Sequence, residues 1–283
     1  MIPLVFTHPE EKHFTFDKIP DLTGKVGIVT GGNSGIGYTT CRELVRKKSH
    51  VFLLGRNIEK AQVAVETIKF ETDNHDVEFI HLNLKSLKSV KECAENFLAS
   101  NLPLQILTFS LTEDGIQEEF AVSHVGHYSQ PARIVNVAHS LVTGIEFESL
   151  NGPNAQDLKQ RYRQSKLANI LFTDKFNRRY LEGEQVYANS LHPGLVDTPM
   201  LRRNDLSFSE TLMPSSISPE YGAITTLYCA TSSEIEETNY RGRYFVPFGI
   251  EGEKSSYAED DDLAKRLWEF TENLINEKLS QKK

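Results

Sequence analysis

The stretch Thr30-Gly31-Gly32-Asn33-Ser34-Gly35-Ile36-Gly37 follows directly on the apolar run Val26-Gly27-Ile28-Val29, and this junction constrains the fold more than any other part of the chain. A short buried strand that breaks into a glycine-rich turn and continues as a helix is built to seat a pyrophosphate. The helix N-terminus offers unpaired N–H groups and a partial positive charge to the anion. Gly31 suits the tight turn, Gly35 lets the backbone approach the phosphates, and Gly37 lets the helix pack closely on the strand. Glycines alone carry little weight, but their place between a strand and a helix makes the signal specific.

Apolar runs and amphipathic stretches alternate from residue 25 onward, which predicts a parallel sheet with helices on both faces. Strands are expected at Lys25–Thr30, His50–Leu54, Val77–Leu82, Leu104–Phe109, Arg133–Ala138, Tyr187–His192 and Tyr244–Pro247. Helices are expected at Gly35–Lys48, Ile58–Asp73, Leu87–Ser100, Gly115–Tyr128, Ala155–Leu181 and Pro219–Cys229. A final amphipathic helix, roughly Ala258–Leu279, carries Leu263, Leu267, Phe270, Leu274 and Leu279 on one stripe. Its other face is acidic, so packing onto the domain is favoured over a membrane surface. With no internal repeat or linker, residues 1–283 read as one domain, with an N-terminal extension over 1–20.

A net charge of −8 and the lack of a basic stretch argue against nucleic acid as a partner. Cys41, Cys93 and Cys229 are scattered without CxxC spacing and read as reduced, buried small hydrophobes. The N-terminus has no basic region ahead of its apolar start, and no apolar run approaches the roughly 18 residues needed to span a bilayer. A cytoplasmic location is therefore the default expectation, with association at a membrane or lipid-droplet surface left open.

Tyr162-Arg163-Gln164-Ser165-Lys166 lies inside the long helix before the sixth strand. Four-residue spacing puts phenol and ammonium on one helix face, a turn apart. A tyrosine with a pKa of about 10 is a poor acid–base group at neutral pH, and a nearby ammonium favours its phenolate. The pair is therefore a candidate general acid/base for a carbonyl oxygen during hydride transfer.

The glycine turn, the stretch Tyr162–Phe172 and His192-Pro193-Gly194-Leu195-Val196-Asp197-Thr198 together resemble a short-chain dehydrogenase/reductase, near the retinol dehydrogenase and WW-domain-containing oxidoreductase group. The resemblance runs from about residue 20 to the C-terminus and implies an α/β fold, a doubly wound parallel sheet (Rossmann fold) in three α/β/α layers. It implies that Gly31, Asn33, Ser34, Gly35, Ile36 and Gly37 surround the cofactor's phosphates. Lys166 would also hold the nicotinamide ribose beside Tyr162, and Pro193, Gly194 and Thr198 would flank the nicotinamide. At the end of the second strand Gly55-Arg56-Asn57 offers no acid to a ribose 2′-OH, while Arg56 suits a 2′-phosphate. NADP(H) is thus expected over NAD(H). Asn83, where the resemblance places an acid, could accept from an adenine amino group.

The chain also departs from the family. Thr108-Phe109-Ser110-Leu111 stands where the family has Asn-Asn-Ala-Gly, and the loop that follows is missing. The helix Gly115–Tyr128 is short, which weakens the usual contact of the homodimer that the resemblance implies. The asparagine of the family's proton relay falls at Ser123. The serine that binds the substrate carbonyl falls at His139, with Ser140 one residue on; Ser140 ranks slightly above His139 as donor, and a site using neither ranks third. Neighbouring strand residues point to opposite faces, so Ser140 serves only if the strand end shifts. The two losses together look like excision of blocks. His124 and His127 have the spacing of a metal pair but no further ligand, so no metal is expected.

The sequence reading is an oxidoreductase that interconverts an alcohol and a carbonyl. Apolar residues in Pro199–Pro219, among them Leu206, Phe208 and Met213, suggest a lipophilic small-molecule substrate. The rival reading is a non-catalytic NADP(H)-binding or scaffold protein that has lost its relay.

Overall fold

The computed structural model describes residues 8–109, 131–139, 144–148, 158–180, 185–199 and 216–280. The expected helix Gly115–Tyr128, with Ser123, His124 and His127, lies outside them, as do Ser140 and residues 200–215 of the expected substrate loop.

The strands are β1 (Val26–Thr30), β2 (His50–Gly55), β3 (Val77–His81), β4 (Ile106–Phe109), β5 (Ala132–Val137), β6 (Val186–Leu191), β7 (Tyr244–Val246) and β8 (Ile250–Glu251). They form one sheet in the order β3-β2-β1-β4-β5-β6-β7-β8. Every neighbouring pair is parallel except β7 and β8. The antiparallel edge strand β8 is an addition to the seven expected strands. It is too short to show an alternating pattern. The seven expected strands all form, each within about two residues of its predicted bounds.

The helices are α1 (Gly35–Arg46), α2 (Ile58–Thr72), α3 (Leu87–Ala99), α4 (Leu158–Tyr180), α5 (Pro219–Thr231), α6 (Glu234–Glu237) and α7 (Asp261–Ser280). Consecutive strand residues alternate between two cores. Val29 and Leu53 join Leu44, Ala64 and Leu227 on the face covered by α1, α2 and α5. Ile28 and Phe52 join Cys93, Phe97 and Phe176 on the face covered by α3 and α4. Burial on both faces explains why the central strands read as continuous apolar runs.

α7 packs on α4, as the stripe implied, but the contact is rotated from the predicted line. Leu263 of the predicted stripe is buried, as are Trp268 and Ile275 one residue off it, while Leu267, Phe270 and Leu274 are half-buried at the flank. The Trp268 ring stacks on Phe172 at 5.8 Å, and the Arg179 guanidinium lies 5.2 Å from the indole. Arg178 pairs with Asp261 and Arg179 with Glu272, so part of the acidic face is used within the fold.

The strand order reverses between β1 and β4, both of which pair with parallel neighbours. Such a switch point opens a crevice at the carboxyl ends of the strands. The glycine turn stands there.

Candidate active site

Gly31 adopts a φ of +66°, a left-handed conformation that a side chain would strain. A Cβ on Gly37 would lie 2.4 Å from the Gly31 carbonyl oxygen, so the first turn of α1 folds back onto the loop that precedes it. Gly32, to which the sequence reading gave no role, is equally confined: its Cβ would come within 2.6 Å of Leu53 and 2.7 Å of Cys41. Gly35 has a φ of +55° and faces Thr198, whose Cγ2 would meet an added Cβ at 3.1 Å. The turn is thus compact on the protein side and lined by bare backbone towards Thr198.

Side chains cap other helices. Asn57 accepts from Lys60 N at 2.8 Å on α2, Ser86 from Ser89 N at 3.3 Å on α3, and Ser218 from Tyr221 N at 3.3 Å on α5. Ser34 occupies the same position on α1 but makes no side-chain cap bond. The first N–H groups of α1 therefore lack the side-chain cap that usually satisfies such donors. Ile36 turns inward, close to where a Gly222 Cβ would stand, so only its backbone is available to a phosphate. Asn33 Oδ1 would lie 3.1 Å from a Cβ on Gly55 at the end of β2.

Arg56 is exposed beyond that strand end, and no hydrogen bond or ion pair holds its guanidinium among the described residues. Asn83 is half-buried after β3. Its Oδ1 accepts from Lys85 N at 3.2 Å, and its N–H donates to Ser89 Oγ at 2.9 Å. The side chain thus already closes a local turn, leaving one lone pair of Oδ1 for any further donor.

Across the switch point, α4 carries Tyr162 and Lys166. Lys166 is buried, its Nζ 5.5 Å from the centre of the Tyr162 ring. It donates to the Val137 carbonyl at 3.1 Å. Burial holds the Lys166 ammonium down to about 8 and pushes the Tyr162 phenol up to about 12. The expectation that the ammonium would favour the phenolate is therefore corrected for the protein alone. Loss of solvent penalises both charged forms, and the attraction of a cation at this distance does not recover it. Tyr162 is a neutral hydrogen-bond donor in this state.

His139, just beyond β5, packs edge-on to the Tyr162 ring with centroids 5.8 Å apart, and to His192 at 4.8 Å. His192 follows β6, and burial, with a smaller contribution from His139, holds it down to about 3. It is neutral at physiological pH. His192 entered the sequence reading only as part of a motif, and nothing in its spacing marked the contact with His139. Pro193 is buried beside it, and Gly194 has a φ of +93° with Ile217 and Pro247 packed against it. Asp197 N and Ile217 N donate in turn to the carbonyls of Ile217 and Leu195, at 2.9 and 2.8 Å. This clamp sets Thr198 against Gly35. Contacts thus join Gly35 to Thr198, Asn33 to the end of β2, and Tyr162 and Lys166 to His139 and His192; Ser140 lies outside the described residues.

The three cysteines are buried and free, and burial alone pushes Cys93 up to about 12. They are unreactive core residues.

A family model described as short chain dehydrogenase matches residues 25–207. The chain belongs to the short-chain dehydrogenase family. This family consists of oxidoreductases that use nicotinamide cofactors. An uncharacterised oxidoreductase of Schizosaccharomyces pombe is 35% identical over 93% of this chain and 88% of its own length. Retinol dehydrogenase 13 of Homo sapiens is 35% identical over 90% of this chain and 85% of its own length. WW domain-containing oxidoreductase of Gallus gallus is 35% identical over 93% and 70%. The match to the fission-yeast protein runs over 303 positions, more than the 283 residues of this short-chain dehydrogenase, so the relative carries residues with no counterpart here.

Among solved structures, an uncharacterised protein of Mycobacterium paratuberculosis superposes with a TM-score of 0.69 at 26% identity, covering 94% of this chain and 98% of its own. A short-chain dehydrogenase of Burkholderia cenocepacia, solved in complex with NADP, gives 0.62 at 21% identity, covering 81% and 98%, and supports the fold. No helix among the described residues is long and apolar enough to cross a membrane.

Proposed function

We propose that this short-chain dehydrogenase interconverts an alcohol and a carbonyl on a lipophilic small molecule, using NADP(H). The observation that carries the reading is the juxtaposition on α4. Tyr162 and Lys166 share one helix turn at the crevice, and Lys166 is anchored to the end of the strand that carries His139.

The residues present fit the cofactor. The bare backbone of Gly31 and Gly35 and the side-chain-free N-terminus of α1 suit a pyrophosphate. Arg56 suits a 2′-phosphate, since a guanidinium binds that group through paired hydrogen bonds. Asn83 would face the adenine, and Pro193, Gly194 and Thr198 the nicotinamide. When bound, NADP(H) supplies or accepts the hydride.

The chain's own groups handle the proton. In the direction of reduction, the Tyr162 O–H donates to the carbonyl oxygen and delivers its proton as that oxygen becomes an alkoxide. In the reverse direction the same oxygen takes the proton of the alcohol. Lys166 stabilises the phenolate left behind, because the two charges meet in a site that excludes water. His139 stands where the family's carbonyl-binding serine falls, and its ring already touches Tyr162. It would orient the substrate oxygen, a role that Ser140 next to it could share. A lipophilic substrate is supported by the retinol dehydrogenases among the relatives.

The deciding experiment is Tyr162→Phe, assayed with NADPH against a panel of aldehydes, ketones and retinoids. Loss of at least about a hundredfold in kcat with unchanged NADPH binding is expected. Unchanged turnover removes Tyr162 from the mechanism. NADPH binding with no turnover by the native chain favours the non-catalytic reading.

A further inference from the structure

The face that α4 turns to the sheet includes a run of polar residues. Lys166, Asn169, Thr173 and Asn177 follow one another at three- and four-residue spacing, hence on one side of the helix. Asn169 and Thr173 are fully buried, and β5 meets them with Asn136, also fully buried. Asn136 Nδ2 donates to Thr173 Oγ1 at 2.6 Å, and Thr173 Oγ1 donates to the Asn169 carbonyl at 2.7 Å. Asn177 Nδ2 continues the contact to the Ala188 carbonyl of β6 at 2.9 Å.

The decisive atom is the Val137 carbonyl oxygen at the end of β5. Asn169 Nδ2 donates to it at 2.8 Å and Lys166 Nζ at 3.1 Å. A carbonyl has two lone pairs, and both are taken. His139 follows two residues later. One amide side chain therefore touches the carbonyl that ties the ammonium to the strand leading to His139.

We infer that Asn169 is a positioning residue for the Tyr162–Lys166 pair: by bonding the Val137 carbonyl that Lys166 also uses, it holds the end of β5, and with it the anchor of Lys166, in register with α4. The inference rests on the acid–base reading of that pair. Packing alone does not account for Asn169. Its Oδ1 is buried with no hydrogen-bond partner, a cost that a leucine of similar volume would avoid. A competing donor also weakens what the carbonyl can offer the ammonium, so removing it should favour the charged form of Lys166. Among the described residues, His139 packs against Tyr162, and His192 packs against His139 in turn.

The test compares Asn169→Leu with Thr173→Val, which cuts the same buried network without touching the Val137 carbonyl. Two readouts are needed on the full chain. One is an NMR titration of the Lys166 side-chain signal in lysine-labelled protein, assigned by its loss in Lys166→Met. The other is kcat and KM for whichever carbonyl substrate the native chain reduces. In Asn169→Leu the Lys166 midpoint should rise by about half a pH unit or more. Its kcat should fall about tenfold while KM changes little. Thr173→Val should lower the melting temperature without moving that midpoint. A folded Asn169→Leu with the native midpoint overturns the inference. If Asn169→Leu does not fold, Asn169→Ser is read by the same criterion. A shifted midpoint in a chain that turns over no substrate keeps the positioning role and removes the oxidoreductase reading instead.

Discussion

Thr198 rests against the backbone of Gly35: a methyl group on Gly35 would approach the Thr198 Cγ2 to 3.1 Å, although the two residues lie on opposite sides of the switch point. The contact joins the turn after β1 to the loop after β6. It brings together the groups expected to bind the pyrophosphate and the nicotinamide of a dinucleotide.

Gly35→Ala should therefore impair cofactor binding more than folding. The φ of +55° costs alanine about 1 kcal/mol, and the new methyl pushes Thr198 into the opening. NADPH affinity, read by fluorescence titration, should fall at least about tenfold, or 1.4 kcal/mol. Adding Thr198→Ala should restore part of that loss, because the clash is relieved while the strain stays. An unchanged affinity in Gly35→Ala would show that the turn does not face the cofactor.

Arg56 offers a separable test of cofactor choice. Its side chain is exposed and makes no hydrogen bond or ion pair among the described residues, so Arg56→Gln should leave the fold intact. Loss of a charge-assisted pair to a 2′-phosphate should weaken NADPH by roughly tenfold to a hundredfold, equivalent to about 1.5–3 kcal/mol. NADH binding should not change. Equal effects on both cofactors would remove Arg56 from the 2′-phosphate site.

Trp268→Ala should loosen the C-terminal helix. The indole is 4% exposed, stacks on Phe172 and carries the Arg179 guanidinium on its face. Removing it should cost about 3–5 kcal/mol in urea unfolding, with a smaller change for Leu274→Ala, whose side chain is only half-buried. The reverse order would mean that the line of contact runs where the sequence pattern first put it.

The difference between those two residues shows what the sequence carried and what it did not. The strand positions, the turn and the helix bearing Tyr162 and Lys166 are legible because each rests on local chemistry: apolar runs, glycine geometry, and spacing along one helix. On α7 the pattern places Leu263 correctly, but farther along the buried line runs through Trp268 and Ile275, one residue off the stripe, since its partner surface on α4 is set by tertiary packing. Gly32 escaped notice because its reason lies in Leu53 and Cys41, distant in sequence. Asn169 and His192 escaped for a similar cause. Their partners, the Val137 carbonyl and the His139 ring, meet them only when β5, β6 and α4 assemble. The protonation state of Tyr162 is not legible in the sequence, because spacing reports a nearby cation but not the loss of solvent around both groups.

That loss of solvent has a measurable consequence. An unfolded lysine keeps its proton to about 10.5, whereas burial brings Lys166 down to about 8 in the native protein. Below about pH 8 both states carry the charge, and the native state bears the full cost of burying it. Between about 8 and 10.5 only the unfolded chain remains charged at this site, so this contribution to stability rises with pH. Tyr162 acts in the opposite sense, but only above about pH 10, where the unfolded phenol begins to ionise while the native one waits until about 12. Burial also raises Cys41, Cys93 and Cys229, whose unfolded thiols ionise in the same window, but that contribution is common to the native chain and to Lys166→Met, so the difference between the two isolates Lys166. Lys166→Met, which fills the same space without a charge, should be more stable than the native chain at pH 7, by at most about 3 kcal/mol. The gap should narrow steadily as pH rises through that window, measured by urea unfolding at fixed temperature. A gap that does not change with pH would mean that Lys166 stays solvated enough to keep its ordinary pKa. In that case the ammonium would lie farther from its strong-field position beside Tyr162 than its 3.1 Å bond to Val137 implies.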